Sequence, residues 1–475
     1  MRDGRIDILY VSTADRLGGA ERVAWDLFAA QRDAGHGAWL AVGRKRTADA
    51  GVLTIDHAGA SGPWGRFWWG WHERLQSYYS TAWGRRLCRW THRLAAPRGG
   101  RDARAGREDF NYPGARRLLD LPPRRPDVVH LHNLHGGYFD LRALPALSRA
   151  VPTVVTLHDA WLLAGHCAHS FDCDRWMTGC GECPDLSIYP AVRRDATAEN
   201  WRAKAAIYRD SRLYVATPCR WLMERVRRSM LWPAVVEARV IPYGVDLRVF
   251  RPGDRAAARA KLGLPADAAV LLFAANGVRR NAFKDYATLR AAIGRIGAAL
   301  RGRAVQFVAV GESAPDEAAG AARIRFVPFQ AEPAAMAAYY QAADVYLHAA
   351  RADTFPCTVL EALACGLPVA ATGVGGIPEQ VTEETGVVTP AGDAGALAAG
   401  AARLLADAGL RARMGAAAAR DAAARFDLRR QARDYADWYA AILAGAAAGA
   451  RGGVGETTTG CNASAGARDA MTASI

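Results

Sequence analysis

The chain has 475 residues, of which 51% are hydrophobic and 23% charged, and its formal net charge is +14. That length exceeds one ordinary core and points to two domains of roughly 200 residues, and the composition excludes a disordered or collagen-like protein. No apolar run reaches the roughly 20 residues of a transmembrane helix. The start, Met1-Arg2-Asp3-Gly4-Arg5-Ile6-Asp7, lacks a signal peptide's apolar stretch, so a cytoplasmic location is expected.

Arg5 to Val11 reads as a buried first strand. Leu17-Gly18-Gly19-Ala20-Glu21 then opens a helix with apolar residues at Val23, Leu27 and Phe28. Paired glycines let a backbone approach a ligand closely, and they are also a common helix start. Residues 61–117 interrupt the domain with Trp64, Trp68, Trp69, Trp71, Trp83 and Trp90 among many arginines. Indole and guanidinium groups together suit the interface of an anionic bilayer; they equally suit a helical cap packed on the domain. No RNA-binding or helix-turn-helix signature accompanies them, so nucleic acid is not an expected partner. The chain's only lysines are Lys45, Lys204, Lys261 and Lys284, so nearly all the positive charge is arginine. The surplus forms a solvated basic surface or attracts phosphate and anionic membranes.

Asp127 to His132 and Pro152 to His158 are continuous apolar strands, each ending in histidine. His158 can shuttle a proton at neutral pH or serve as a satisfied structural histidine; His130, His132 and His135 read as cleft lining. Residues 165–184 hold four cysteines, Cys167, Cys173, Cys180 and Cys183, the last two in a Cys-x2-Cys turn with glycine. Three states are open to them: a structural zinc site, reduced thiols packed in a loop, or disulfide and redox chemistry. Nine cysteines in a cytosolic chain are not a disulfide framework.

The strand pattern restarts after Phe250-Arg251-Pro252-Gly253-Asp254, with strands at 269–274, 305–310, 324–327, 345–348 and 368–371. Short apolar strands separated by helices mean parallel sheets covered on both faces. The expected fold is therefore α/β, two doubly wound Rossmann-like domains facing a cleft, with ligands at the carboxyl ends of the strands. The expected division is 1–245 for the first domain and 246–430 for the second. Residues 431–445 form a last helix with Tyr435, Trp438, Tyr439 and Ile442 on one face, crossing back to the first domain. Residues 446–475 are a Gly/Ala/Thr/Ser-rich tail expected to be disordered.

The most informative stretch is His348 to Pro368. A strand ends near His348, a loop carries Asp353, and a helix spans about Cys357 to Cys365, stopped by Gly366 and Pro368. The free N–H groups at that helix start, including those of Thr358 and Val359, suit a diphosphate. Asp353 and Glu361 flank this point and can accept hydrogen bonds from sugar hydroxyls. Upstream, Arg279, Arg280 and Lys284 follow the second domain's first strand, where positive charge would oppose the charge of a departing phosphate. The residues read alone leave open which arginine serves, and a solvated basic turn is the other reading.

This segment resembles the family 4 retaining glycosyltransferases of GT-B fold, through Asp353-x7-Glu361, the run Ala362 to Val369 and the loop Gly375-Gly376-Ile377-Pro378-Glu379. The block His158-Asp159-x-Trp161 with Gly165-His166-Cys167 and Cys180-x2-Cys183 resembles a subset of that family. The resemblance implies transfer of a hexose-type sugar, with retention, from a nucleotide-sugar donor to a glycan or lipid-linked acceptor in surface polysaccharide or glycolipid assembly, with no cofactor needed for catalysis. It also implies peripheral attachment to the inner face of a membrane. By resemblance Glu361 binds ribose and Asp353 the transferred sugar. Lys284 and an arginine take the phosphates, Gly18 and Gly19 let the first domain approach, and His158 lies near the reacting sugar. The chain departs from the pattern at Asp353, where Glu is commoner, at Tyr243, where Asn usually precedes Gly-Val-Asp, and over 61–117. The alternatives are a sugar-nucleotide epimerase of the same fold and a non-catalytic glycan- or nucleic-acid-binding protein.

Overall fold

The computed structural model describes residues 4–16, 18–79, 81–300 and 302–452. The first half runs β1 (Asp7–Ala14), α1 (Gly19–Asp33), β2 (Gly37–Arg44), β3 (Val52–Thr54), α2 (Pro63–Leu75), α3 (Ala82–Ala95), α4 (Pro97–Ala105), β4 (Val128–His132), α5 (Leu144–Ala150), β5 (Thr153–Thr156), α6 (Thr197–Arg209), β6 (Leu213–Thr217), α7 (Arg220–Arg227) and β7 (Val235–Val240). The second half continues with α8 (Arg255–Leu262), β8 (Ala269–Ala274), α9 (Tyr286–Ala299), β9 (Val305–Val310), β10 (Glu317–Ala319), β11 (Ala322–Val327), α10 (Pro333–Ala342), β12 (Val345–His348), α11 (Cys357–Ala364), β13 (Val369–Thr372), α12 (Ile377–Gln380), β14 (Gly386–Thr389), α13 (Ala394–Ala406), α14 (Ala408–Arg425) and α15 (Leu428–Gly452).

These strands form two seven-stranded sheets, ordered β3-β2-β1-β4-β5-β6-β7 and β10-β11-β9-β8-β12-β13-β14. Every pairing is parallel except β10 with β11. The expected pair of doubly wound domains is present. Ile8 to Val11, Val128, Val129 and Leu131 are fully buried because helices cover both faces of the first sheet. In each sheet the order reverses beside the first strand, β1 or β8, and the crevice there opens at the strands' carboxyl ends.

Two passes of the chain join the domains side by side. Val245 bridges Asp427, with Val245 N–H donating to Phe426 O at 2.8 Å and Leu428 N–H to Val245 O at 3.1 Å. A Cβ on Gly244 would stand 2.4 Å from Leu428 Cα, so only glycine lets the two passes lie this close. α15 crosses back and buries Tyr435, Trp438, Tyr439 and Ile442 against the first domain. There Tyr439 Oη meets His130 Nδ1 at 2.7 Å, Tyr435 Oη meets Thr156 Oγ1 at 2.7 Å, and Gln31 Nε2 donates to Ala432 O at 2.7 Å. The helix runs to Gly452, past the start of the tail expected at 446; residues 453–475 of that tail, like Leu17, lie outside the described residues.

Residues 61–117 fold as a helical cap. α2 and α3 pack as a hairpin that buries Trp69 and leaves Trp64, Phe67, Trp71, Trp83 and Trp90 exposed. Trp64, Phe67 and Trp71 recur every three or four residues along α2, and Trp83, Leu87 and Trp90 do so along α3, so each helix turns one apolar face outward. Among the described residues, no helix is long and apolar enough to cross a membrane.

Candidate functional site

The crevice is built by loops that leave the carboxyl ends of β8, β12 and β13 in one domain and of β1, β4 and β5 in the other. On the second domain, Lys284 reaches Asp353 because the loop after β8 pairs with the loop after β12. Lys284 and Ala350 form a bridge, and Arg351 N–H and Ala352 N–H both donate to Phe283 O. The Lys284 ammonium then forms an ion pair with the Asp353 carboxylate, and His348 Nε2 lies 3.4 Å from the same oxygen. Burial alone would raise the Asp353 carboxyl, but the Lys284 cation outweighs it and holds the group well below the ordinary carboxylate range. Gly375, at φ +56°, and Gly376 clamp the Asp353 loop from behind: a Cβ on Gly375 would stand 1.8 Å from Asp353 O, and Gly376 N–H donates to Thr354 O at 2.8 Å.

Glu361 sits one turn into α11 and is buried. Its Oε2 accepts from Tyr340 Oη at 2.8 Å, and its Oε1 lies 3.3 Å from Arg22 Nη1. Arg22 is on α1 of the other domain, so this ion pair spans the crevice. Burial raises the Glu361 carboxyl and Arg22 opposes that rise. Asp26, one turn after Arg22, is pushed up to about 6 by burial, with Arg22 and Arg16 opposing. The start of α11 has Pro356 at its N-cap and no capping side chain. Thr358 is half-buried there, while Val359 is buried and its N–H turns to Pro356 O at 3.2 Å. Thr358 is thus the better placed of the two to face a ligand.

The structure separates the two arginines that the sequence left equivalent. Arg279 is bound by Glu312 at 2.8 Å and Glu317 at 3.4 Å and lies over the Phe326 ring. Arg280 is exposed and, among the described residues, pairs with no carboxylate.

On the first domain, Gly18 N–H donates to Glu21 Oε2 at 3.1 Å, which starts α1 without a side-chain cap, and Gly19 faces open space. His158 is held through both ring nitrogens: Nδ1 is 2.6 Å from Tyr243 Oη and Nε2 is 3.0 Å from His132 Nδ1. Burial lowers its pKa to about 4. Burial thus disfavours the charged ring, and Tyr243 and His132 engage both of its nitrogens. Tyr243, which stands where the resembled family usually has Asn, is the residue that fixes it. His135 holds Asp159 at 2.7 Å, and this carboxylate offsets the cost of burial and raises the histidine.

The four cysteines come together around one small cavity. Among the described residues no three His, Cys, Asp or Glu side chains are gathered closely enough to hold an ion. The sulfurs are instead drawn to separate partners, Cys180 Sγ accepting from Gly165 N–H at 3.3 Å and Cys183 Sγ lying 3.4 Å from His166 Nε2. Burial, reinforced by the neighbouring thiols, pushes Cys167 up to about 12 and raises Cys180 and Cys183, which suits reduced thiols. The same loop reaches the second domain, where Phe171 stacks on Phe283, while His169 stacks on Trp221 of α7 in its own domain.

Arg22, Tyr340 and His348 escaped the sequence reading. Arg22 lies three residues past Gly19, so its place on α1 was legible, but nothing in the sequence says that it spans to Glu361.

Two family models match the chain: residues 17–249 match Glycosyltransferase Family 4, and residues 268–407 match Glycosyl transferases group 1. A D-inositol 3-phosphate glycosyltransferase 1 from Catenulispora acidiphila is 35% identical over 271 residues, 54% of this chain and 58% of that relative. The chain thus spans little more than half of that curated relative. Among solved structures, a sucrose-phosphate synthase from Thermosynechococcus elongatus aligns with TM-score 0.59 and 20% identity over 93% of this chain and all of its own. The Anabaena protein Alr3699/HepE, solved in complex with UDP-glucose, aligns with TM-score 0.57 and 16% identity over 92% of this chain and all of its own.

Proposed function

We propose that this chain, whose two domains match glycosyltransferase family models and share the GT-B fold, transfers a hexose-type sugar from a nucleoside diphosphate donor, with retention, to a glycan or lipid-linked acceptor. The observation that carries the reading is the convergence of Asp353, Lys284 and Glu361 at the carboxyl end of one sheet, opposite Gly19 and His158 at the carboxyl end of the other. Glu361 takes the ribose hydroxyls, displacing Arg22. The start of α11, Lys284 and Arg280 take the diphosphate, and Asp353 holds the transferred sugar. The bond from the anomeric carbon to the phosphate oxygen breaks, and the acceptor oxygen bonds to that carbon on the same face. The acceptor's proton passes to the leaving phosphate oxygen, and the two cations offset its charge. Asp353 is committed to Lys284 and Asp159 to His135, so neither carboxylate is assigned as a covalent nucleophile in the manner of retaining hydrolases. The transfer as proposed needs no cofactor.

The exposed Trp64, Phe67, Trp71, Trp83 and Trp90, with Arg66, Arg74, Arg86 and Arg89 exposed beside them, support docking on an anionic bilayer that carries the acceptor. Mass spectrometry of products from a panel of nucleotide sugars and membrane-extracted acceptors tests the reaction. A hexose added to acceptor with the donor's anomeric configuration is expected, and Glu361→Ala should lose nucleotide binding. Donor isomerised without acceptor, or unchanged nucleotide binding by Glu361→Ala, would overturn the reading.

A further inference from the structure

Between the helical cap and the first sheet lies a cavity of about 230 Å³. Its walls come from the end of β2, the inner sides of α2, α3 and α4, and the loop after β4. Trp69 and Tyr112 supply its apolar part, and Gly99, Gly100, Gly136 and Gly137 present bare backbone to it. The volume falls short of the roughly 300–1,000 Å³ of sites for drug-sized ligands, so it suits one small ring or headgroup.

Its charge is one-sided. Arg44, Arg89 and Arg93 line it, and among the described residues none of the three pairs with a carboxylate. Arg44 instead lies 5.0 Å over the Tyr79 ring, also in the wall. The one carboxylate present, Asp109, is already taken up by the N–H and side-chain amide of Asn111, both at 2.9 Å. The buried Nε2 of His92 lies 3.6 Å from Asp109, too far to bond, and has no hydrogen-bond partner. A buried polar atom without a partner is costly, and guanidinium forks match phosphate oxygens in pairs.

The cavity also adjoins the chemistry. Gly136 directly follows His135, whose ring holds Asp159 beside His158. Tyr189 Oη lies 3.4 Å from His135 Nδ1, and burial raises its pKa, with Asp159 on the crevice side adding to the rise and Arg44 on the cavity side opposing it.

We propose that this cavity binds the phosphate of a phosphorylated acceptor, with Arg44 and Arg93 clasping the group and His92 donating to it. The assignment rests on the glycosyltransferase reading for the word acceptor, but the binding itself does not. The aromatic faces of α2 and α3 point outward while the cavity lies beneath them, so a phosphate can arrive on a lipid or as a free sugar phosphate.

The full chain would be titrated with glucose 1-phosphate, with the short-chain lipid dihexanoyl phosphatidic acid and, as a control, with chloride at matched ionic strength. Hydrogen exchange over 63–105 is the site-specific readout. Protection of that segment by at least one phosphate, a tenfold weaker affinity in Arg44→Gln/Arg93→Gln and unchanged affinity in Lys284→Gln are expected. Protection by the lipid alone names a lipid-borne phosphate, and protection by the sugar phosphate names a soluble one. No protection by either ligand in the unaltered chain, or loss of binding with Lys284→Gln but not with the double variant, overturns the proposal. Nucleoside diphosphate binding, measured in parallel, reports separately on the donor site: its failure would sink the glycosyltransferase reading and leave the phosphate cavity standing.

Discussion

At the residue scale the crevice is a set of charges held in mutual check. Lys284 holds Asp353, and Arg22 holds Glu361 from the opposite domain. Removing a preorganised cation at a developing oxyanion costs about 10²–10³ in rate, so Lys284→Ala and Arg280→Ala should each lower kcat/KM by that order. Arg279→Ala should cost less than tenfold, because Arg279 is bound to Glu312 and Glu317. Steady-state kinetics of the three variants with one donor would check the ranking, and a larger loss for Arg279 would refute it. The sequence singled out Asp353 and Glu361 as carboxylates flanking one helix start, and their roles and that of Lys284 came from the resemblance to a known family. The choice between adjacent arginines was not, because it depends on Glu312 and Glu317, more than thirty residues further along the chain.

At the element scale, two helical additions do unlike work. α15 is made part of the first domain by Tyr439, whose hydroxyl meets His130 at 2.7 Å and Tyr10 at 3.4 Å in a fully buried setting. Tyr439→Phe leaves the packing but strips His130 of a partner. Denaturant melts should show a loss of about 1–3 kcal/mol, and an unchanged midpoint would mean the hydroxyl is dispensable. The α2–α3 hairpin instead keeps its large side chains outside. Trp83→Ser with Trp90→Ser should weaken sedimentation with anionic vesicles about tenfold while leaving the melting midpoint within a few degrees. Equal binding of the unaltered chain to neutral and anionic vesicles would count against docking. The aromatic spacing was readable as helical, but its exposure was not, because the same pattern could have packed inward.

At the scale of the whole molecule, burial sets the response to acid. His57, His72, His158 and His169 are all lowered, to about 3 or 4, chiefly by burial. Each binds a proton in the unfolded chain from about pH 6.5 downward, while the folded chain resists until about pH 4. Between those values the unfolded state therefore holds more protons, and stability must fall as pH falls. Asp353 acts at lower pH: its depressed pKa keeps the Lys284 pair intact until the medium drops below the ordinary carboxylate value of about 4. Melting temperature measured from pH 7 to pH 4 should decline steadily through the histidine window, and a flat profile there would refute the account. The sequence by itself determined the two doubly wound domains, the strands around β8, β9 and β12, and the Asp353–Glu361 segment, because strand periodicity and helix stops are local. Only the tertiary structure decided that Arg22 answers Glu361, that Tyr243 fixes His158, and that Arg279 is bound by carboxylates while Arg280, among the described residues, is not. Each of those outcomes depends on which distant side chain arrives within a few ångströms and how much water it excludes, and neither is written in neighbouring residues.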